Sequence, residues 1–251
     1  MGPAHAALSF LTCVGGPATP TPRALPWFPV VGAGLGLTLG LGWWIAEALW
    51  PPLLAASVVV AVDLALTGML HLDGLADSAD GLLAHRLGPA RRLEVMAEPT
   101  IGAFALATVA LVLVLRIAAL AALAPAPGLV AVLWAFSRAA MALAVQSQPY
   151  ARVHGLASSF RDPTTPAASV AAVSLVALGV LSVAVVLAGF DIAGVGIGLG
   201  DLASGTIAVA LAAVGVVALA RRRLGGYTGD VLGAAGMVAE TAGLLAVAAR
   251  W

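Results

Sequence analysis

The sequence carries an acidic motif, His71-Leu-Asp-Gly-Leu-Ala-Asp-Ser-Ala-Asp80-Gly81. In a helix, about 100° per residue places Asp73, Asp77 and Asp80 within an arc of about 60° on one face. Carboxylates at this spacing repel one another, so we expect a bound cation to offset the repulsion. Oxygen ligands suit Mg²⁺ or Mn²⁺, which bridge carboxylates to substrate phosphates. The motif therefore predicts a metal site formed by these three carboxylates, the alternative being a solvated acidic loop.

The same motif offers candidates for a general base. His71 stands two residues before the first aspartate, where it is a candidate base, ligand or capping group, or a structural histidine. Asp80 and the distant Asp230 are the other residues that could accept a proton. The sequence leaves the choice among these three catalytic candidates open.

Several arginines have the chemistry to bind phosphate through paired N–H groups. Arg86 follows the acidic motif closely, Arg152 opens a later polar loop, and Arg138 stands inside an apolar run. A charge at that depth must face the protein interior, so Arg138 is predicted to meet a substrate phosphate or a carboxylate partner. Arg91 and Arg92 are equally well explained as anchors that fix membrane topology.

A glycine-rich turn, Gly225-Gly226-Tyr-Thr228-Gly-Asp230, precedes the last apolar run. A glycine-rich turn at a helix N-terminus presents backbone N–H groups to an anion. Thr228 adds a hydroxyl, and Asp230 adds a carboxylate that could serve as a ligand or a base. No lysine follows the glycines, so the turn is not a Walker motif. We predict that Gly225, Gly226 and Thr228 bind substrate, the alternative being a purely structural turn.

Composition defines the environment in which these residues must be positioned. The 251-residue chain is 61% hydrophobic and 10% charged, with twelve basic and twelve acidic residues. Soluble domains carry about 25% charged residues. So few charges could not cover a globular surface, and a net charge of zero gives no attraction for nucleic acid. A soluble enzyme, a disordered chain and a charge-driven nucleic-acid binder are therefore excluded, and an integral membrane protein remains.

The apolar runs predict an all-α bundle of about seven transmembrane helices. A bilayer core of about 30 Å needs roughly 20 apolar residues, and only helices or closed barrels satisfy their backbone in lipid. The runs lack the alternation of barrel strands. They cover residues 28–50, 52–70, 102–123, 128–148, 167–189, 204–220 and 229–249.

Arginine placement predicts the orientation of these spans. Nine arginines fall in the N-terminal tail and alternate loops, whereas only Arg250 falls on the other side. The positive-inside rule then places the N-terminus in the cytoplasm and the C-terminus outside. The chain is predicted to be one membrane-embedded domain, residues 1–251, with active-site loops at 71–101, 149–166 and 221–230, all on the cytoplasmic side. Cys13 is expected to be a small apolar packing residue.

The motifs together resemble one family over nearly the whole chain and in the same order. The matching segments are residues 26–32, 71–81, 92–102, 149–152 and 225–233. On these segments the chain is similar to the cobalamin synthase family of membrane transferases. It departs from the usual family pattern at Ala97-Glu98, where a Lys-Asp pair is common.

The resemblance implies a reaction and its partners. The family joins adenosylcobinamide-GDP to α-ribazole or its 5′-phosphate, forming adenosylcobalamin or its 5′-phosphate and releasing GMP. It requires Mg²⁺ and lies in the bacterial cytoplasmic (inner) membrane as a multi-pass protein. The expected partners are therefore these two substrates and the lipid bilayer, with no nucleic acid, while a homo-oligomer is left open.

Two other function classes compete with this interpretation. CDP-alcohol phosphotransferases and prenyl transferases also use helical aspartates, but their further motifs are absent: an Ala-Arg pair after Asp73-Gly74, and a second aspartate-rich motif. An ion-coupled transporter is less favoured, and it would use Asp63, Arg138 and Glu240 as a conduction path through the membrane.

Overall fold

The computed structural model describes residues 2–162 and 198–249, together with residues 164, 174, 178 and 179. These parts of the chain are helical, and the β-type pairing found in them is one isolated bridge. The α-helices are α1 (Pro3–Leu11), α2 (Phe28–Leu49), α3 (Pro52–Leu66), α4 (Leu70–Leu83), α5 (Pro89–Val95), α6 (Ala103–Ala122), α7 (Pro127–Ser147), α8 (Leu199–Leu224) and α9 (Gly229–Ala248). Two 3₁₀ helices cover Pro22–Trp27 and Leu156–Phe160.

Five of these helices are long and apolar enough to cross a membrane, and α3 with α4 forms a bent sixth candidate. The five are α2 (continued from its preceding 3₁₀ turn), α6, α7, α8 and α9. The fold class predicted from the sequence, a multi-pass helical membrane protein, is confirmed. Most of the predicted span at 167–189, and Arg250, lie outside the described residues. The total number of spans and their orientation stay predictions.

The second predicted span ends earlier than expected. Hydropathy extends to residue 70, but α3 ends at Leu66 and the chain turns by 89° into α4. Gly68 and Met69 make this turn with φ of 58° and 57°, a left-handed conformation that ends a helix. A run of apolar residues indicates burial or lipid contact, but it does not show where the helix axis changes direction. We treat α3 as the spanning part of the pair and α4 as a helix at the polar end of the bundle.

The N-terminal segment is tied to the same turn. The backbone N–H of Cys13 donates to Leu66 O at 2.9 Å, and its Sγ donates to Ala65 O at 3.1 Å. The interpretation of Cys13 as a buried packing residue was wrong, because its side chain is exposed and satisfies a carbonyl at the end of α3. This contact fixes the N-terminal segment beside the start of α4.

The helices of the bundle pack so that two of them flank α9. α9 packs against α8 along its length and against α4 near its N-terminus, while α7 lies largely buried against α2. α4 also packs against α6. The N-termini of α6 and α9 are therefore both brought to α4, the helix that carries the acidic motif.

Candidate active site

A pocket of about 330 Å³ lies along the acidic face of α4. Asp73, Asp77 and Asp80 line one wall, as their helical spacing predicts. Residues 96–101, between α5 and α6, form the opposite wall. The pocket is therefore lined by three carboxylates of α4 and by the polar connection that leads into α6.

Asp80 is already engaged by backbone groups. Its Oδ2 accepts a hydrogen bond from Gly102 N–H at 2.6 Å, and its Oδ1 accepts one from Ala105 N–H at 2.9 Å. Gly102 is the N-cap residue of α6 and Ala105 lies in its first turn, where N–H groups lack intrahelical partners. A carboxylate at this end also interacts favourably with the helix dipole. Asp80 therefore caps α6 and fixes the pocket wall.

Asp77 lies at the centre of the carboxylate group and is half-buried. Its burial, followed by the charges of Asp230 and Asp73, raises the pKa of Asp77 to about 7. The influence of Asp230 shows that the distant glycine-rich turn has been brought beside α4. Crowded carboxylates of this kind favour either a proton or a cation.

A close helix contact creates this proximity. A Cβ on Gly74 would stand 2.7 Å from the carbonyl oxygen of Asp230, so only glycine lets α4 approach the start of α9. Gly233 meets the Cα of His71 in the same contact. The glycines at these two positions thus place Asp230 beside the acidic face.

Arg152 connects the third polar loop to this group. Its Nη2 lies 3.0 Å from Asp230 Oδ2 and 3.5 Å from the carbonyl oxygen of Met96, on the pocket wall. The Arg152 side chain is 29% exposed, so the guanidinium is accessible from outside. A single arginine therefore bridges the start of α9 and the wall opposite the acidic helix.

The glycine-rich turn is held against that loop by backbone hydrogen bonds. Tyr227 N–H donates to Pro149 O at 3.0 Å, and Ala151 N–H donates to Tyr227 O at 2.8 Å. A Cβ on Gly226 would stand 2.1 Å from the same Pro149 oxygen, so this pairing requires glycine. Gly225 ends α8 with a φ of 83° in the left-handed region. Both glycines have structural roles here, and their predicted contacts with substrate stay predictions.

Thr228 begins α9 as its N-cap. Its Oγ1 accepts a hydrogen bond from Val231 N–H at 3.2 Å and donates to Asp230 Oδ2 at 3.2 Å. The threonine hydroxyl therefore orients the aspartate that Arg152 contacts. Burial raises the pKa of the neighbouring Tyr227 to about 12, so its hydroxyl stays protonated and donates to Ala157 O at 3.4 Å.

The carboxylate oxygens that line the pocket suit a hard divalent cation, provided that a bound ligand fills part of the cation's coordination shell. Within the described part of the chain, no three His, Cys, Asp or Glu side chains already enclose a point where a metal could sit. Mg²⁺ needs only one or two protein carboxylates, because water and phosphate oxygens complete its shell. Asp73 and Asp77, on the pocket wall, fit that requirement, and the clustered negative charge favours a cation.

Comparison with known proteins identifies the family. The family model CobS, cobalamin-5-phosphate synthase, matches residues 3–248. The chain belongs to this family. A relative from Ectopseudomonas mendocina (strain ymp), named adenosylcobinamide-GDP ribazoletransferase, is 38% identical over 257 residues, covering 96% of each chain. A relative of the same name from Stutzerimonas stutzeri (strain A1501) is 36% identical over 259 residues, covering 99% of this chain and 98% of its own. No solved structure matches.

In this member of the cobalamin-5-phosphate synthase family, Arg138 lies away from the acidic pocket. Arg138 is buried in α7, where it forms an ion pair with Glu240 of α9 and a 3.0 Å hydrogen bond with Ser137. The sequence predicts that Arg138 meets either a substrate phosphate or a carboxylate, and in the structure its partner is the carboxylate of Glu240. A role in binding substrate phosphate stays a prediction.

The same buried network includes charged residues of two further helices, α6 and α3, and an aromatic ring of α7. Arg116 of α6 pairs with Glu240 and lies 3.0 Å from Asp63 of α3. Its guanidinium also stacks 4.9 Å from the centre of the Trp134 ring. Two arginines and two carboxylates balance one another, and they join α3, α6, α7 and α9 inside the bundle.

Several predicted site residues do not line the acidic pocket: Asp230 and Arg152 lie beside it, and His71 and Arg86 contribute nothing to its walls. His71 is buried against α9, and its Nδ1 has no hydrogen-bond partner among the described residues. Arg86 is exposed in the turn between α4 and α5, with a φ of 60°. Their catalytic and phosphate-binding roles stay predictions.

Sequence reasoning missed the role of Arg92. It is buried, and its Nη1 donates to Gly81 O at 2.6 Å and to Leu82 O at 3.2 Å. Arg92 therefore satisfies carbonyls at the C-terminal end of the acidic helix. An arginine eleven residues after a glycine in the last turn of a helix gives no periodic signal, so this contact is visible only in the folded chain.

Proposed function

We propose that this protein joins adenosylcobinamide-GDP to α-ribazole or α-ribazole 5′-phosphate. The products would be adenosylcobalamin, or its 5′-phosphate, and GMP. The family match over residues 3–248 and the names of the relatives support the reaction. The several apolar helices support a multi-pass protein, and we place it in the bacterial cytoplasmic membrane.

The observation that carries the proposal is the convergence of three polar segments. The charges of Asp230 of α9 and of Arg152 in the loop between α7 and α8 both act on the pKa of Asp77 of α4, and Arg152 Nη2 lies 3.0 Å from Asp230 Oδ2. Carboxylates beside an exposed arginine can bind a pyrophosphate through both a shared cation and direct hydrogen bonds. The arrangement therefore suits transfer at a phosphorus atom.

In the proposed reaction the oxygen of a secondary ribose hydroxyl of the ribazole bonds to the phosphorus next to the cobinamide arm, so the 5′ position is free to carry a hydroxyl or a phosphate. The bond from that phosphorus to the GMP oxygen breaks, and GMP leaves with the electron pair. The hydroxyl proton passes to a base, for which Asp230 is placed best, since it is partly exposed beside Arg152. Arg152 would stabilise the negative charge that develops on the phosphoryl oxygens.

The remaining residues keep this geometry fixed. Asp80 holds the first turn of α6 against the pocket, and Thr228 orients Asp230. Asp73 and Asp77 would hold Mg²⁺. When bound, Mg²⁺ supplies charge neutralisation and polarises the pyrophosphate. Catalysis would then depend mainly on positioning and electrostatics.

The competing transporter class is less well supported by the ion network. Asp63, Arg138 and Glu240, which would form its conduction path, are buried and engaged with one another or with Arg116. A conduction path needs charges that can exchange with a transported ion. The mutual pairing instead suits a structural network.

The test is release of GMP by purified protein in lipid vesicles. With adenosylcobinamide-GDP, ribazole and Mg²⁺, we expect GMP and corrinoid product in equal amounts, and no GMP when ribazole is left out. CDP-alcohol and prenyl diphosphate substrates should give no product. Release of GMP without ribazole would indicate a hydrolase, and product from either of the other substrates would support the rival class.

A matched pair of variants tests the site. Asp77→Asn removes the central carboxylate at almost constant size, and we expect turnover to fall by about 100-fold or more. Glu94→Gln makes the same chemical change at an exposed carboxylate that pairs with Arg91, and it should keep full activity. Equal activity of Asp77→Asn and wild type would contradict the assignment of this pocket.

A further inference from the structure

A second cavity lies between α7 and α8, separate from the acidic pocket. It has a volume of about 310 Å³ and shares no lining residue with that pocket. Its walls are apolar, formed by side chains such as Leu143, Val214 and Val217. Val214 is 65% exposed, so the cavity is a groove that opens on the outer surface of α8.

One end of this groove is polar and ordered. Arg221 donates from Nη1 to Gln148 Oε1 at 2.7 Å, and Gln148 Nε2 donates to Ser147 Oγ at 3.2 Å. All three residues line the groove. The bond to Gln148 holds the Arg221 head at this end, and the exposed guanidinium has further N–H groups to offer a ligand.

The position of Arg221 fits the boundary of a membrane. It stands in the last turn of α8, an apolar helix long enough to span a bilayer, and is followed by Arg222 and Arg223. Basic residues in this position attract the anionic headgroups of the cytoplasmic leaflet. The groove thus offers an apolar wall along the span and a guanidinium at its polar end.

We propose that the α7–α8 groove binds one anionic phospholipid. An acyl chain lies between the two helices, and the headgroup phosphate accepts hydrogen bonds from Arg221. Charge complementarity selects this occupant, since the groove offers apolar contact along its length and positive charge only at one end. A zwitterionic lipid of the same chain length gains less at Arg221, because its headgroup carries no net negative charge.

The test uses native mass spectrometry of the purified protein in detergent with added lipid. Phosphatidylglycerol and phosphatidylcholine with identical acyl chains are supplied at equal concentration. We expect one phosphatidylglycerol molecule to stay bound. The fraction of protein that retains it should be about tenfold the fraction that retains phosphatidylcholine. Equal retention of the two lipids would overturn the proposal.

Two variants separate a specific site from general basic charge. Arg221→Gln should abolish the preference for phosphatidylglycerol, whereas Arg222→Gln, with the same charge change one residue away, should keep it. Equal loss in both variants would mean that only the overall positive charge matters, and this would overturn a defined site.

A third variant tests the apolar wall. Ala218 is an exposed groove residue, so Ala218→Phe should fill the groove without disturbing the core and should reduce adducts of both lipids. Ala203→Phe, on an exposed position of α8 that does not line the groove, should leave them unchanged. Unchanged lipid binding in Ala218→Phe would overturn the proposal and would point to a groove closed by protein. Thermal unfolding of each variant verifies that it is folded.

Discussion

The Asp80 carboxylate accepts a hydrogen bond from the Gly102 backbone N–H at 2.6 Å, which ties the acidic helix α4 to the first turn of α6. A Cβ at position 102 would stand 2.6 Å from Asp80 Oδ1, so the contact also requires glycine. The acidic motif therefore has two tasks. Asp80 positions the pocket wall, while Asp73 and Asp77 face the pocket without comparable backbone partners among the described residues.

Asp80→Ala should lower stability as well as activity. The change leaves Gly102 and Ala105 N–H groups without their carboxylate, and loss of such a cap costs about 1 kcal/mol. The measurement is thermal unfolding in detergent, with Asp73→Ala as the control that should unfold near the wild-type temperature. Equal unfolding temperatures for the two variants would contradict the capping role.

Binding of Mg²⁺ should weaken as the pH falls through 7. Burial and neighbouring carboxylates raise the pKa of Asp77 to about 7, so below that pH the group carries a proton with which the metal must compete. From the fraction deprotonated, we expect affinity to be about tenfold weaker at pH 6 than at pH 8. Calorimetric titration with Mg²⁺ gives the result, and Asp77→Asn should show weak binding with little pH dependence. A steep pH dependence retained in Asp77→Asn would assign it to another group.

Glu240→Gln should destabilise the bundle more than it changes substrate affinity. Among the described residues, the variant leaves Arg116 paired with Asp63 and Arg138 without an ion-pair partner, and breaking a buried ion pair costs about 3–5 kcal/mol. We expect a lower unfolding temperature and a lower yield, whereas Glu94→Gln, at an exposed carboxylate, should change neither. An unchanged unfolding temperature with a raised KM would instead support direct contact between this network and substrate.

Two adjacent glycines should respond differently to substitution. Gly226→Ala places a Cβ 2.1 Å from Pro149 O, so the backbone pairing of the two loops must open, at about 1–3 kcal/mol. Gly225→Asn keeps a residue that tolerates the left-handed φ of 83° and meets no neighbour within 4 Å, so its effect should be small. Stability and turnover are measured for both. An effect of Gly226→Ala as small as that of Gly225→Asn would mean that the close approach to Pro149 does not hold the two loops together.

The sequence alone was sufficient for the membrane class, the limits of most spans and the family. Predicted runs at 28–50, 102–123, 128–148 and 229–249 agree within about two residues with α2, α6, α7 and α9. These features are local, because hydropathy and proline breaks depend only on neighbouring residues. The three carboxylates on one face follow equally from helical periodicity.

The tertiary structure decided which polar residues work together. Asp230 reaches the acidic helix because Gly74 permits a close contact, and Arg152 reaches Asp230 through the pairing of two loops. Arg138 forms an ion pair with Glu240, and Asp80 accepts hydrogen bonds at the start of α6. The chain turns by 89° after the end of α3. Each outcome depends on packing between residues far apart in the chain. A buried charge takes whichever opposite charge or backbone donor the fold places beside it, and sequence spacing does not contain that information.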